Sequence, residues 1–468
     1  MSNPNTLKKE SVYKLFNLPW HYFAIFAAVV LAATYMGVLP TGMAGCFAFM
    51  IVLGTILNEI GERTPIIRSY LGGGAIVVIF GSALLNYFNL LPALTKTLQD
   101  GTKVYNMKLL MNLDLVGNIG SFFKPAGAFL DFYIAALITG SILGMNRNLL
   151  KKAAARYFPA IFGGIFLAFG LCALVGAAMG YGVIKSLLLI ALPIMGGGMG
   201  AGATPLSKIF ESTGTMTAAE AISVMTPAVA IGNAISIVLG GIVVKLIADK
   251  NWNGQGQLMK TGVTDAAELE ISPEVQAKRE RININDLGIG LFISCSFFAW
   301  GYIVAELWIR AVPSLNIHAY AWMIITVAVC KIFNLVPEGI EIACYQWFQF
   351  IMKNLTPTLL VGIGLCYLSI DTVIESFSIT YLVLCLVTCI GAFVGAAIVG
   401  KLVGFYPVEA GVTAGLCMSN MGGTGDVAVL SAANRMELMP FAQISSRLGG
   451  AIILIIGSLM LSIMGGLL

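Results

Sequence analysis

The chain has 468 residues, a formal net charge of +4 and a mean hydropathy of +0.88, with 58% hydrophobic and 11% charged residues. A soluble chain of this size carries about twice that charged fraction, which excludes the soluble globular classes. Repeated apolar runs of roughly 20 residues indicate a polytopic helical membrane protein, and their continuity argues against a transmembrane β-barrel.

The N-terminal tail is polar and carries Lys8, Lys9 and Lys14. An uncleaved first span follows at about His21 to Leu39, with the N-terminus cytoplasmic by the positive-inside rule. Span 2 covers about Thr41 to Leu57, and the link after it holds Arg63 and Arg68. Span 3 runs from about Gly74 to Leu94. An outer segment, Thr95 to Lys124, has room for a short helix. Span 4 is about Ala126 to Met145. The link RNLLKKAAAR, with Arg147, Lys151, Lys152 and Arg156, is the clearest cytoplasmic signal. Span 5 is about Phe158 to Tyr181.

An interruption follows. Ile184 to Phe210 has two short apolar arms around a Gly-rich break at Gly196 to Gly202. Neither arm is long enough to span, which predicts a re-entrant hairpin entering from outside. Span 6 is about Ala218 to Ile247. The hydrophilic stretch Ala248 to Asn285, with Lys250, Lys260, Lys278, Arg279 and Arg281, reads as a cytoplasmic linker.

The second half repeats the plan. Span 7 is about Leu287 to Ile309 and span 8 about His318 to Phe333. The link Asn334 to Lys353 reads as room for an amphipathic helix. Span 9 is about Leu355 to Ile370, and its outer loop carries Asp371 and Glu375. Span 10 is about Ile379 to Leu402. A second polar, Gly-rich hairpin follows, and span 11 runs from about Pro440 to Leu468, which leaves the C-terminus outside. The expected fold is therefore all-α: about eleven transmembrane helices plus two opposed re-entrant hairpins in two inverted-topology five-helix repeats. Its parts are the tail and first span (1–39), a first repeat (40–247, hairpin 184–210), the linker (248–285) and a second repeat (286–468, hairpin 406–434).

The breaks match: GGMG at Gly197–Gly200 and GGTG at Gly422–Gly425. Gly lets two tips approach closely, and paired interrupted segments in two halves point to a secondary transporter's binding site. Helix packing through small residues is the plainer reading. Arg447 lies seven residues into span 11, where its planar fork suits a carboxylate; a snorkelling arginine is the alternative. Ser419, Asn420, Thr424, Ser445 and Ser446 supply oxygens for a cation or a substrate hydroxyl, or simply bond neighbouring helices. Asp426, Glu409 and Asp131 are acidic candidates for cation coupling. For Asp426 a structural pair with Arg435, or a helix cap, is equally open. Arg435 is expected at the cytoplasmic surface. The nine Cys are scattered and odd in number, and only two His occur, His21 and His318, so neither a disulfide framework nor a His-based catalytic or metal centre is indicated.

Three stretches, PIMGGGMGAGATPLS (Pro193–Ser207), YPVEAGVTAGL (Tyr406–Leu416) and MSNMGGTGDVAVLSAANRM followed by FAQISSRLGG (Met418–Gly450), resemble the 2-hydroxycarboxylate transporter family, bacterial carriers of citrate, malate and related acids. The resemblance covers nearly the whole chain. It implies a homodimer in the bacterial cytoplasmic membrane, elevator-type movement, and symport with Na⁺ or H⁺ or exchange against a product such as lactate. No cofactor is implied beyond Na⁺ as coupling ion, and no nucleic acid. By motif position, Arg447 would bind a substrate carboxylate. Gly198, Met199 and Gly200 would form the first tip, and Met421, Gly422, Gly423 and Thr424 the second. Asn420 and Ser446 would sit near a cation site, to which the reading of the residues themselves adds Ser445 and Asp426. The sodium–citrate members have Asn where this chain has Met199, and Arg where it has Met421. One cation fewer makes a buried tri-anion expensive, which favours a dicarboxylate, malate first. Exchanger-type citrate carriers share the MGGTG form, so citrate stays open as the second substrate.

Other classes are a membrane subunit of an ion-pumping decarboxylase and an anion channel. The first lacks a His, Cys or carboxylate cluster for catalysis, so no enzyme is expected. Hairpins entering from both sides suit alternating access better than an open pore.

Overall fold

Without water to serve the peptide groups, an apolar run in a bilayer must satisfy its own hydrogen bonds, and the helix does so locally. The computed structural model describes residues 13–68, 73–98, 100–105, 113–123, 128–145, 147–247, 251–259, 273–313 and 317–468. Among these, six helices are long and apolar enough to cross a membrane: Met43–Arg63, Tyr157–Ala178, Ala218–Leu246, Ile284–Ala311, Ile379–Leu402 and Phe441–Leu467. Trp20–Tyr35, Gly74–Tyr87, Phe129–Leu143, Val183–Met195 and Ala319–Phe333 are shorter apolar helices. The chain is a multi-pass membrane protein.

Local sequence explains several of the boundaries. Thr217 and Glu220 form a capping box at the start of Ala218–Leu246; the Glu220 N–H donates to the Thr217 hydroxyl at 3.3 Å, and Glu220 Oε2 accepts from the Thr217 N–H at 2.9 Å. Ser378 Oγ accepts from the Tyr381 N–H at the start of Ile379–Leu402. The outer segment holds the short helix Leu115–Phe123, preceded by an unexpected two-stranded ribbon, Leu94–Thr97 with Lys103–Tyr105. Lys124, the basic residues 1–12, and Lys250 and Lys260 of the linker lie outside the described residues, as do the side chains of Arg147, Lys151, Lys152 and Arg156. All nine cysteines are free thiols, most of them buried.

Two expected links are helical instead, the first being RNLLKKAAAR, which opens the helix Arg147–Ala178. The link Asn334 to Lys353 and span 9 are a single helix, Glu338–Cys366. Pro357 lies inside it, and the polar residues Glu338, Glu341, Gln346, Gln349 and Lys353 dilute the apolar signal of its first half. Glu341 is buried and paired with Lys331 at 2.7 Å, so part of that polarity is internal.

The helices pack into two groups. The first contains Met43–Arg63, Gly74–Tyr87, Phe129–Leu143, Ile284–Ala311, Ala319–Phe333 and Glu338–Cys366. The second contains Arg147–Ala178, Ala218–Leu246, Ile379–Leu402, both interrupted segments and the last span. The order of three helices, then helix, broken segment, helix, therefore runs twice along the chain. The centre of the second group is the crossing of Arg147–Ala178 with Ile379–Leu402. Gly391 and Gly395 lie four residues apart on one face, and a Cβ on Gly391 would stand 2.7 Å from the Ala168 Cα. On the opposing helix, a Cβ on Gly163 would stand 2.8 Å from the Gly395 oxygen. Where lipid tails are as apolar as the side chains, such close backbone approach is what drives association.

The linker joins both groups. Its first part lies along the base of the second interrupted segment: the Tyr406 N–H donates to the Leu258 oxygen at 2.9 Å, and the Val408 N–H to the Trp252 oxygen at 3.0 Å. Its helix Pro273–Glu280 packs on Glu338–Cys366, where Gln346 Nε2 donates to the Arg281 oxygen at 3.1 Å.

Candidate functional site

The first interrupted segment has the arms Val183–Met195 and 199–212, the second the arms 407–416 and Gly423–Ala432. Both breaks turn on glycines with φ in the left-handed region, Gly197 at +82°, Gly198 at +102° and Gly422 at +64°. The two breaks touch. A Cβ on Gly198 would stand 2.7 Å from the Met421 oxygen, and one on Gly197 2.7 Å from the Ser446 oxygen. Glycine is required here because each tip rests on the other's backbone and on the last span.

The elements around this contact carry π-helical turns: Leu187–Ala191, Met199–Ala203, Gly411–Leu416 and Ser445–Gly449. Such turns shift side-chain directions within a helix and often mark functional sites. Arg447 sits in the last of them.

Asp426 is the polar centre, and it is fully buried. Asn420 Nδ2 donates to its Oδ1 at 3.0 Å, and the Ser446 hydroxyl to its Oδ2 at 2.8 Å. Asn420 Oδ1 in turn accepts from the Gly422 N–H at 2.7 Å. Among the described residues no ion pair reaches Asp426 within 4 Å. The Arg447 guanidinium makes no hydrogen bond or salt bridge among the described residues, and its Cζ lies 5.8 Å from the centre of the Phe348 ring.

Asp426 and Arg447 both belong to the lining of one cavity of about 750 Å³ between the two helix groups. The second group contributes Gly197, Met199, Gly200, Met421, Gly422 and Gln443 besides Asp426, Ser446 and Arg447. The first contributes Asn58, Glu62, Tyr133, Gln349, Lys353 and Thr356, among others. A space of this size holds a small organic anion with water, and its polar groups are few and placed.

The structure brings together most of the residues singled out from sequence. Arg447, Met199, Gly200, Met421, Gly422, Asp426 and Ser446 line the cavity; Gly198 lies behind the tip and Asn420 behind Asp426. Ser445 turns away, with its hydroxyl 2.8 Å from that of Tyr157. Gly423 and Thr424 form the first turn of Gly423–Ala432, and the Thr424 side chain lies outside the described residues. Asp131 accepts from the Tyr320 hydroxyl and does not line the cavity.

Arg435 corrects an expectation. It is buried, not at the surface, and its partner is Glu409 at 3.2 Å, not Asp426. Asn253 of the linker accepts from it at 2.8 Å, and the Gly254 N–H donates to Glu409 at 2.8 Å. The linker covers the pair, and its distance along the chain concealed that from sequence.

Sequence reasoning missed Asn233 and Ser236 in Ala218–Leu246. Asn233 Oδ1 accepts from the Met421 N–H at 3.0 Å, and the Ser236 hydroxyl donates to the Ser419 oxygen at 3.1 Å. Two polar residues three apart in an apolar span share a helix face, which was the available signal. The wall contributed by the first group was missed entirely.

The model of the 2-hydroxycarboxylate transporter family matches residues 15–459. The malate transporter MleP of Lactococcus lactis is 35% identical over 456 residues, covering 97% of this chain and 99% of that protein. The citrate/sodium symporter of Klebsiella pneumoniae is 34% identical over 470 residues, covering 99% of each. The citrate transporter CitP of Leuconostoc mesenteroides is 34% identical over 444 residues, covering 94% of this chain and 92% of that one. A match of this length takes in both glycine breaks, the buried Asp426 and Arg447, and it makes the chain a transporter rather than an enzyme: it belongs to the 2-hydroxycarboxylate transporter family.

Proposed function

We propose that the protein carries a 2-hydroxy dicarboxylate, malate first, across a bacterial cytoplasmic membrane by alternating access, coupled to Na⁺ or H⁺. The observation that carries this reading is Arg447, a free guanidinium facing a cavity of about 750 Å³ beside the touching tips. A planar fork in a partly dehydrated site takes one carboxylate through two parallel hydrogen bonds. The glycine tips bring backbone N–H groups within reach of the rest of the substrate, and Met421 fills the place where a tri-anion calls for a second guanidinium. Citrate, carried as a partly protonated anion or exchanged against lactate, is the second reading. It is favoured by the likeness to citrate carriers.

Coupling belongs to Asp426. A buried carboxylate with two neutral donors and no ion pair is costly in its charged form. A cation held by Asp426 with the Ser446 and Asn420 oxygens, or a proton on the carboxylate, removes that cost. Either changes the charge beside Arg447, and so links cation binding to substrate binding. The doubled order of elements supports an inverted repeat with two re-entrant hairpins, the N-terminus cytoplasmic and the C-terminus outside. In that reading the second helix group moves as a unit against the first, in a homodimer.

Counterflow in proteoliposomes tests the proposal. Labelled malate entering against trapped unlabelled malate is the expected result, with faster uptake under a Na⁺ or H⁺ gradient. No exchange of malate, citrate or lactate would overturn it.

A further inference from the structure

The cavity has a second cation that the reading above leaves unused. Lys353 lies in the middle of Glu338–Cys366, which runs unbroken through the stretch expected to be a link. Fifteen residues of helix precede it, about 22 Å at helical rise. A lysine in the interior of a membrane protein needs a watery cavity or a partner. It has the cavity: its side chain is exposed and lines the same space as Arg447. Among the described residues it makes no salt bridge and no hydrogen bond. The other cavity-lining acid, Glu62, accepts from the Gly74 N–H at 2.8 Å and lies 3.7 Å from Arg68.

The placement relative to Arg447 is specific. Arg447 stacks over Phe348, and Lys353 follows Phe348 by five residues, about 7.5 Å along the same helix. Gln349 lies one turn before Lys353 and also lines the cavity. Arg447 belongs to the second helix group and Lys353 to the first, so the two cations sit on walls contributed by different groups.

We propose that Lys353 binds the second carboxylate of a dicarboxylate whose first carboxylate is held by Arg447, and so selects dicarboxylates over monocarboxylates. The assignment rests on the carrier reading. A dicarboxylate held this way spans the two groups, whereas a monocarboxylate such as lactate engages Arg447 alone. A flexible ammonium suits this role, since it meets a chain-terminal carboxylate without fixing its plane.

The test is counterflow of malate and of lactate in proteoliposomes with wild type, Lys353→Gln, Lys353→Arg and the double variant Glu62→Gln/Lys353→Gln. Lys353→Gln is expected to raise half-saturation for malate about tenfold, roughly 1.4 kcal/mol, with lactate unchanged. Lys353→Arg restores malate, and Glu62→Gln does not. Equal effects on both acids, no effect on either, or rescue by Glu62→Gln would overturn the assignment; the last would make Lys353 a counter-charge to Glu62. A wild type that exchanges neither acid overturns the carrier reading, and this assignment with it.

Discussion

The Ser446 hydroxyl stands 2.8 Å from the Asp426 carboxylate, and that bond ties the second broken segment to the last span. The next residue, Arg447, faces the cavity. Whatever neutralises Asp426 is therefore felt one residue away from Arg447, the group proposed to hold the substrate.

Asp426→Asn keeps the side chain's shape and removes its charge. Malate exchange at equal ion concentrations should persist, while gradient-driven uptake loses its Na⁺ or H⁺ stimulation. Uptake rates with and without each gradient measure this. Undiminished stimulation would place the coupling site elsewhere.

Arg447→Lys keeps the charge and loses the two-pronged geometry. Half-saturation for malate should rise by about ten- to a hundredfold, the range expected when a charge-assisted hydrogen bond is lost. Membrane expression should hold. Unchanged transport would assign the substrate carboxylate to another group.

Gly198→Ala places a Cβ against the Met421 backbone at a φ of +102°. The tips must part or the turn must change hand. Transport should fall below a tenth of wild type with normal detergent-extractable yield. A fully active variant would show that the tips need not touch during the cycle.

Glu409→Ala strands a buried guanidinium. Loss of one partner from a buried pair costs about 3–5 kcal/mol, and among the described residues Arg435 would keep the Asn434 and Asn253 oxygens alone. The melting temperature of the purified protein should drop well below that of wild type. A variant as stable as wild type would mean that the pair contributes nothing to the fold.

Much of the scaffold was legible. Ile379–Leu402 matches the expected span residue for residue, because a long uninterrupted apolar run leaves no other reading. The two breaks were legible from glycine against an apolar background. The Glu338–Cys366 helix was not, since part of its polarity serves internal contacts such as Glu341 with Lys331, and hydropathy cannot tell a buried ion pair from a loop. Arg435 was misplaced for a related reason: its cover comes from Asn253, 182 residues earlier. For the site, the residues of the broken segments announced themselves by composition. Lys353 and Asn58 did not, because single polar residues in or beside apolar stretches are common and only packing shows which face a cavity.

The linker touches the second helix group at Trp252–Met259 and the first at Pro273–Glu280. Only residues 260–272 separate these attachments. Fully extended, that length of chain covers about 45 Å. Were one group to slide past the other, that length would bound its travel at the linker, beside the shorter joins at residues 144–146 and 367–378. Shortening residues 260–272 should arrest the cycle at one end without touching a residue of the cavity.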